Sequence, residues 1–167
     1  MSNHLIDTVQ EGDELAVLGP SGSFTVEPQT GNERHLVMIA GGSGITPIMS
    51  ILETVLRVEE RSRLTLIYGN RSLDDVIFRD RLAALDEEFG ERLRVDHVLE
   101  RPPEGWSAGE GLLTGDVLSA RLEALGIQDD GHIRYFVCGP TPMMEAAHEV
   151  LRERGVHKGD RVCIYMP

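Results

Sequence analysis

Five apolar residues in a row, Leu36-Val37-Met38-Ile39-Ala40, run directly into Gly41-Gly42-Ser43-Gly44-Ile45-Thr46-Pro47. This stretch limits the possible folds more than any other. An uninterrupted apolar run of that length predicts a strand covered on both faces, the kind found in parallel sheets between helices. The glycines allow a sharp turn and let another group come close to the backbone. Thr46 is the expected N-cap, and Pro47 suits the first helical position. A buried strand, a glycine turn and a helix N-terminus together form a cradle of N–H groups at the positive end of a helix dipole, an arrangement that binds phosphate. The turn does not spell Gly-x-Gly-x-x-Gly, so the dinucleotide fingerprint is not met literally. Its chemistry still points to a nucleotide.

The same logic recurs near the end of the chain. Ile133 to Cys138 reads as a strand, and Gly139-Pro140-Thr141-Pro142 opens a helix running to about Arg154. Between the two motifs, strands and helices alternate. Ile48, Ile51, Leu52, Val55 and Leu56 recur at helical spacing within 46–60. Leu64 to Gly69 and Leu93 to Leu99 read as strands, while Val76 to Phe89 and Asp116 to Leu125 read as helices. Val162 to Tyr165 supplies a last strand. This alternation predicts an α/β fold, a doubly wound five-stranded parallel sheet with helices on both faces. Leu15 to Leu18 is expected to form a short strand ahead of it, and Trp106 to fold from a Pro/Gly-rich loop onto the core. Glu59-Glu60 reads as a solvated helix face. Ligands of such sheets sit beyond the carboxyl ends of the strands, which places Tyr68, Asn70, Arg71 and Ser72 toward a bound nucleotide.

Composition removes several function classes. The net charge of −12 argues against nucleic acid and anionic membrane surfaces as partners. No apolar run approaches the ~20 residues needed to span a bilayer, and no signal peptide is visible at the amino end. Cys138 and Cys163 lie far apart, and the six histidines are scattered, so no metal site is expected. A reducing, cytoplasmic setting is expected.

Ala40-Gly41-Gly42-Ser43-Gly44-Ile45-Thr46-Pro47 resembles the pyridine-nucleotide signature of the ferredoxin-NADP reductase superfamily. Further motifs follow in the family's order: Tyr68 to Ser72 with Ile77 to Asp80, and Cys138-Gly139-Pro140 with Met143. The likeness is greatest to the NAD(P)-binding lobe of reductases serving bacterial oxygenases, such as phenylacetyl-CoA oxygenase and 3-ketosteroid 9α-hydroxylase. It implies that Gly41, Gly42, Ser43, Gly44, Ile45, Thr46 and Pro47 hold the pyrophosphate of NADPH or NADH. It implies that Cys138, with Gly139, Pro140 and Met143, lies beside the nicotinamide where hydride leaves for FAD. Thr46 is the expected polar contact on that side, and the thiol acts by position rather than by ionising. Arg71 and Ser72 suit a 2′-phosphate, which leans to NADPH; no acidic residue directly ends this strand, where one would favour NADH, although Asp74 and Asp75 follow soon after.

Gly19-Pro20-Ser21-Gly22-Ser23-Phe24 resembles the end of the family's flavin-binding barrel, and Ser2-Asn3 the tail of a flavin-pyrophosphate motif. The resemblance thus divides the chain into a β remnant of that barrel, 1–30, and an NAD(P)-binding domain, 31–167, with most of the flavin lobe outside the chain. The expected partners are a flavin-binding domain, a [2Fe-2S] ferredoxin domain or protein and an oxygenase component. At the carboxyl end, Tyr165 and Pro167 stand where the family has an acidic and an aromatic residue near the flavin, and the tail from Lys158 resembles a segment of acyl-CoA synthetases. Two other readings remain: a regulatory nucleotide-binding subunit without redox activity, and a truncated fragment without independent activity.

Overall fold

The computed structural model describes residues 2–19, 21–156 and 161–164. The expectations for Pro20, Lys158, Tyr165 and Pro167 lie outside the described residues. Six parallel strands form one sheet in the order β4-β3-β2-β1-β5-β6. They are β1 (His35–Gly41), β2 (Arg63–Asn70), β3 (Leu93–Leu99), β4 (Gly109–Glu110), β5 (Arg134–Cys138) and β6 (Val162–Ile164). The helices are α1 (Ser2–Asp7), α2 (Ile45–Val58), α3 (Arg79–Phe89), α4 (Gly115–Ala124) and α5 (Thr141–Glu153). The chain builds outward from β1 to β4, then returns to the other side of β1 for β5 and β6. The switch point therefore lies between β1 and β5, where doubly wound sheets open a crevice.

Period-two alternation in the central strands explains the layering. Leu36, Met38 and Ala40 of β1 face a core shared with Ile48, Leu52 and Leu56 of α2 and with Leu82 and Leu85 of α3. Val37 and Ile39 face the opposite core, made with Leu118 and Leu122 of α4 and with Met144, Ala147 and Leu151 of α5. Both faces of β1 are covered, as its apolar run requires.

Four local expectations change. The sheet has six strands rather than five because β4, only two residues long, pairs with Val98 and Leu99 inside the Pro/Gly-rich loop. Trp106 pins that loop, donating from its indole nitrogen to the Gly109 carbonyl at 2.9 Å while packing on the core. The segment expected as a barrel strand, Leu15 to Leu18, forms no ladder, and Leu18 is 97% exposed. A lone extended segment has no neighbour to complete its backbone hydrogen bonds, so strand propensity alone does not make a strand.

The start of α2 also shifts. A 3₁₀ turn over Gly42–Gly44 begins the winding early, so Gly44 is the N-cap and Thr46 and Pro47 lie inside the first turn. The Thr46 hydroxyl donates back to the Ser43 carbonyl at 2.9 Å instead of capping the helix. Pro47 is tolerated there because the first four helical N–H groups need no partner within the helix. Finally, Glu59 is not on a solvated face. It is fully buried at the end of α2, where Arg34, Asn32 and Ser62 donate to its carboxylate. Burial pushes its carboxyl up, but the hydrogen bonds from Arg34, Ser62 and Asn32 outweigh that and hold it below the usual range.

Candidate functional site

The two glycine turns meet at the carboxyl edge of the sheet. Ala40 pairs with Cys138, and Gly41 with Gly69, so the last residues of β1, β2 and β5 stand side by side. Glycine is required by contact as much as by turning. A Cβ on Gly44 would overlap the Cys138 carbonyl and the Gly139 backbone. One on Gly41 would lie 2.7 Å from the Met143 sulfur, and one on Gly139 would lie 3.0 Å from the Gly41 nitrogen. At Gly44 the overlap is with backbone, so a larger residue there drives the turns apart. Helices α2 and α5 both begin here, so two helix N-termini face this edge.

A cleft of about 700 Å³ opens beside the turns. Its floor carries Gly41, Gly42, Ser43 and Gly69; Pro140 and Met143 stand on one wall and Asn70 and Arg71 on another. The structure thus brings together residues from all three motifs. Cys138 is buried directly beneath, and burial pushes its thiol up, so it is a neutral, small group at neutral pH. That suits a positioning role, since an ionised thiolate is the form that acts as a nucleophile.

Of the expected residues, Gly44, Ile45, Thr46, Pro47, Tyr68, Ser72, Cys138 and Gly139 are not on the cleft lining. Ile45 is wholly buried and packs in the core rather than in the cleft. Tyr68 is also fully buried; its hydroxyl donates to the Gly42 carbonyl at 3.0 Å and so braces the turn from below. Ser72 donates to the Asp75 carboxylate at 2.7 Å, and Arg71 pairs with the same carboxylate at 3.3 Å. The hydrogen bond from Ser72, reinforced by Arg71 and Arg101, holds the Asp75 carboxyl below the usual range. Asp75 lines the cleft, as does Glu100. The sequence left Asp75 as one of two acidic residues near the strand end; the 3₁₀ turn over Leu73–Asp75 is what folds it back onto Arg71.

Asn70 is the informative side chain. It is 7% exposed and lines the cleft; its amide stands beside the Tyr68 hydroxyl, and neither its nitrogen nor its oxygen closes a well-formed hydrogen bond. A buried amide left unpaired costs free energy comparable to a lost hydrogen bond, and native proteins keep few of them. Its donor and acceptor suit a ligand carrying hydroxyl and phosphate groups. The glycine contacts, the paired helix N-termini and this under-satisfied amide fit a dinucleotide. The N-terminal stretch that resembles a barrel strand forms no sheet among the described residues.

Known proteins bear on the same geometry. Residues 38–149 match the oxidoreductase NAD-binding domain family. NADH-cytochrome b5 reductase 1 of Coccidioides immitis is 33% identical over 168 residues, covering 97% of this chain and 52% of that protein. It is a cytochrome b5 reductase and not one of the oxygenase reductases to which the motifs were compared above. The chain spans about half the length of the curated relatives it matches. The cytochrome b5 reductase domain of Ulva prolifera nitrate reductase shares the fold, with a TM-score of 0.84 at 24% identity, over 99% of this chain and 64% of that one. A ferredoxin NADP+ reductase from Neisseria gonorrhoeae, solved with bound FAD and NADP, superposes with a TM-score of 0.71 at 25% identity, over 98% and 68%. The matched span begins inside β1 and runs into α5, so both glycine turns and the cleft between them fall within it, and the chain belongs to the oxidoreductase NAD-binding domain family of the ferredoxin reductase-like fold.

Proposed function

We propose that this chain is the NADH-binding half of a flavin-dependent reductase that feeds electrons to a protein carrier. The observation that carries the reading is a cleft whose floor is two interlocked glycine turns, each leading into a helix N-terminus. Bound NADH supplies a hydride, and the flavin of such a reductase accepts it. The residues of this chain do the positioning. Gly41 to Gly44 and the α2 N-terminus bind the pyrophosphate. Gly139 and Pro140 let a flat ring lie close to the backbone, and the buried, neutral Cys138 leaves room for two rings to approach. Met143 packs its side chain against both turns.

The preference for NADH rests on Asp75. A 2′-phosphate needs a free cation, and here Arg71 and Ser72 already serve a carboxylate. That carboxylate accepts ribose hydroxyls and repels a phosphate, so the lean toward NADPH drawn from Arg71 and Ser72 reverses. The acceptor is a haem or iron–sulfur carrier. Relatives named cytochrome b5 reductases favour a haem protein, and an oxygenase system is the second choice, carried by the motif likeness.

The test supplies the missing half. The chain is mixed with a separately expressed flavin-binding lobe of an NADH-cytochrome b5 reductase, and NADH-dependent ferricyanide reduction is followed. Reduction that needs both parts supports the reading. NADH binding without any electron transfer would instead make the chain a nucleotide-binding subunit.

A further inference from the structure

We propose that a second cavity, at the amino edge of the sheet, binds a small zwitterion of the free amino-acid type, its carboxylate held by Arg134 and its ammonium by Glu27. The site goes beyond the dinucleotide reading and does not depend on it. The cavity has a volume of about 450 Å³, a size that suits a small molecule. It shares no lining residue with the cleft between the glycine turns. One wall is the segment leading into β1, with Thr25, Glu27 and Gln29. The other is a face of β5 and β6 carrying Phe136 and Cys163.

Strand register gathers cations at this edge. Arg134 opens β5 beside Leu36 of β1. Tyr135 pairs with Val162, and its backbone nitrogen donates to the Arg161 carbonyl at 2.7 Å, so Arg161 reaches the same end of β5. Arg34 precedes β1, and all three arginines line the cavity. Two of them are committed: Arg34 donates to Glu59, and Arg161 to Asp129. Arg134 is exposed and makes no ion pair or side-chain hydrogen bond among the described residues. The period of two puts Arg134 and Phe136 on one face of β5, and the register sets Cys163 beside Phe136. Burial pushes the Cys163 thiol up, and the charge of Arg134 draws it partly back, so the guanidinium stands near that thiol.

Glu27 brings the opposite charge. Among the described residues it is the one carboxylate on the lining, and it too is exposed and makes no ion pair. Single exposed charges are ordinary. Here an unpaired cation and an unpaired anion line one cavity without bridging each other, and both are open to a ligand. A ligand of one sign satisfies one of them and is repelled by the other. A zwitterion satisfies both, because a carboxylate accepts two parallel bonds from a guanidinium while an ammonium donates to a carboxylate. The wall that carries Glu27 is held in place. Just beyond it, the Gln29 backbone nitrogen and the Asn32 and Arg34 side chains all donate to the buried Glu59 carboxylate. The spacing of the two charges is therefore largely set before a ligand arrives, which lowers the cost of binding. The Thr25 hydroxyl and the Gln29 amide, on the same wall, suit a ligand with a polar side chain.

The test uses the whole chain with L-glutamine and two analogues that each lack one charge, glutaramate without the ammonium and 4-aminobutanamide without the carboxylate. Alkylation of Cys163 by iodoacetamide, followed on its own peptide, reports occupancy because that thiol lines the cavity. The quantity read is the ratio of rates with and without ligand. Glutamine should slow the reaction saturably, with a midpoint on the order of millimolar because the site is open to water. Each analogue should bind about tenfold more weakly. Arg134→Gln should weaken glutamine by about tenfold and leave 4-aminobutanamide unchanged, whereas Glu27→Gln should weaken glutamine by the same factor and leave glutaramate unchanged. Both side chains are exposed, so both variants should melt with the parent. No protection by glutamine overturns the proposal. Protection that survives both substitutions puts the ligand elsewhere and overturns it too. Glutaramate protecting as well as glutamine would make the cavity a plain anion site, and the zwitterion would fall.

Discussion

The two edges of the sheet treat buried polar groups in opposite ways. At the amino edge, the Glu59 carboxylate is sealed from water, and the side chains of Arg34, Asn32 and Ser62 together with the Gln29 backbone nitrogen all donate to it. The Arg92 guanidinium closes the same corner by donating to the carbonyls of Leu56, Glu59 and Ser62. At the carboxyl edge, the Asn70 amide is almost as deeply buried, has the Tyr68 hydroxyl beside it and closes no well-formed hydrogen bond. A saturated network is a structural joint: it ties the segment before β1 to the end of α2. An under-satisfied amide beside a cleft leaves hydrogen-bonding capacity open to a ligand. Burial alone does not distinguish them, whereas the partners do.

That contrast can be broken at either edge. Glu59→Ala has the largest expected effect. It strands the Arg34 guanidinium in a part-buried site, and the loss of stability should be about 3–5 kcal/mol in urea unfolding. NADH affinity of the folded fraction should stay the same, and a fall in affinity would mean the joint reaches the cleft. Gly44→Ala works at the other edge. Its Cβ meets backbone at Cys138 and Gly139, which cannot swing away like a side chain. It should cost roughly 1–3 kcal/mol of stability and, unlike Glu59→Ala, should also weaken NADH severely.

Asp75→Asn sharpens the account of the cleft. It frees Arg71 and Ser72 and removes a negative charge. NADPH should gain on NADH by about tenfold in competition titrations at low salt, and less at high salt. An unchanged ratio would remove Asp75 from the cofactor preference.

The smallest effect belongs to His35 at the start of β1. Burial, reinforced by Arg63, lowers its pKa from 6.5 to about 4, and its ring nitrogen Nε2 meets the Thr65 hydroxyl at 2.9 Å. The folded state thus keeps the imidazole neutral. The stability this represents is complete above pH 6.5 and drains away as pH falls toward 4. The ring is only partly buried, so solvent screening keeps the contribution to about 1 kcal/mol. The fall in melting temperature between pH 7 and pH 5 should be shallower in His35→Gln than in the parent.

Much of this was legible in the residues themselves. The apolar run of β1 and the heptad-like spacing in α2 gave the layers, since both are local patterns with one structural solution. The glycine turns were legible because few other residues allow so close an approach. Glu59 was misread because its partner Arg34 lies 25 residues earlier, and a charge at the end of an amphipathic helix carries no local sign of burial. Strand β4 was missed because two residues between prolines and glycines have no periodicity, and its position depends on Trp106 and on the Asp96–Arg121 pair behind it. Leu15 to Leu18 erred the other way: its composition suits a strand, but the described residues offer it no neighbour. Asp75 was visible as a residue but not as a contact, because only the 3₁₀ turn brings it back to Arg71.

The most direct test of the central claim is calorimetric titration of the parent chain with NADH, repeated on Gly44→Ala and Glu59→Gln. One saturable site that is lost in Gly44→Ala and kept in Glu59→Gln is the result this account predicts. Heats no larger than dilution for the parent, or binding that survives Gly44→Ala unchanged, would contradict it.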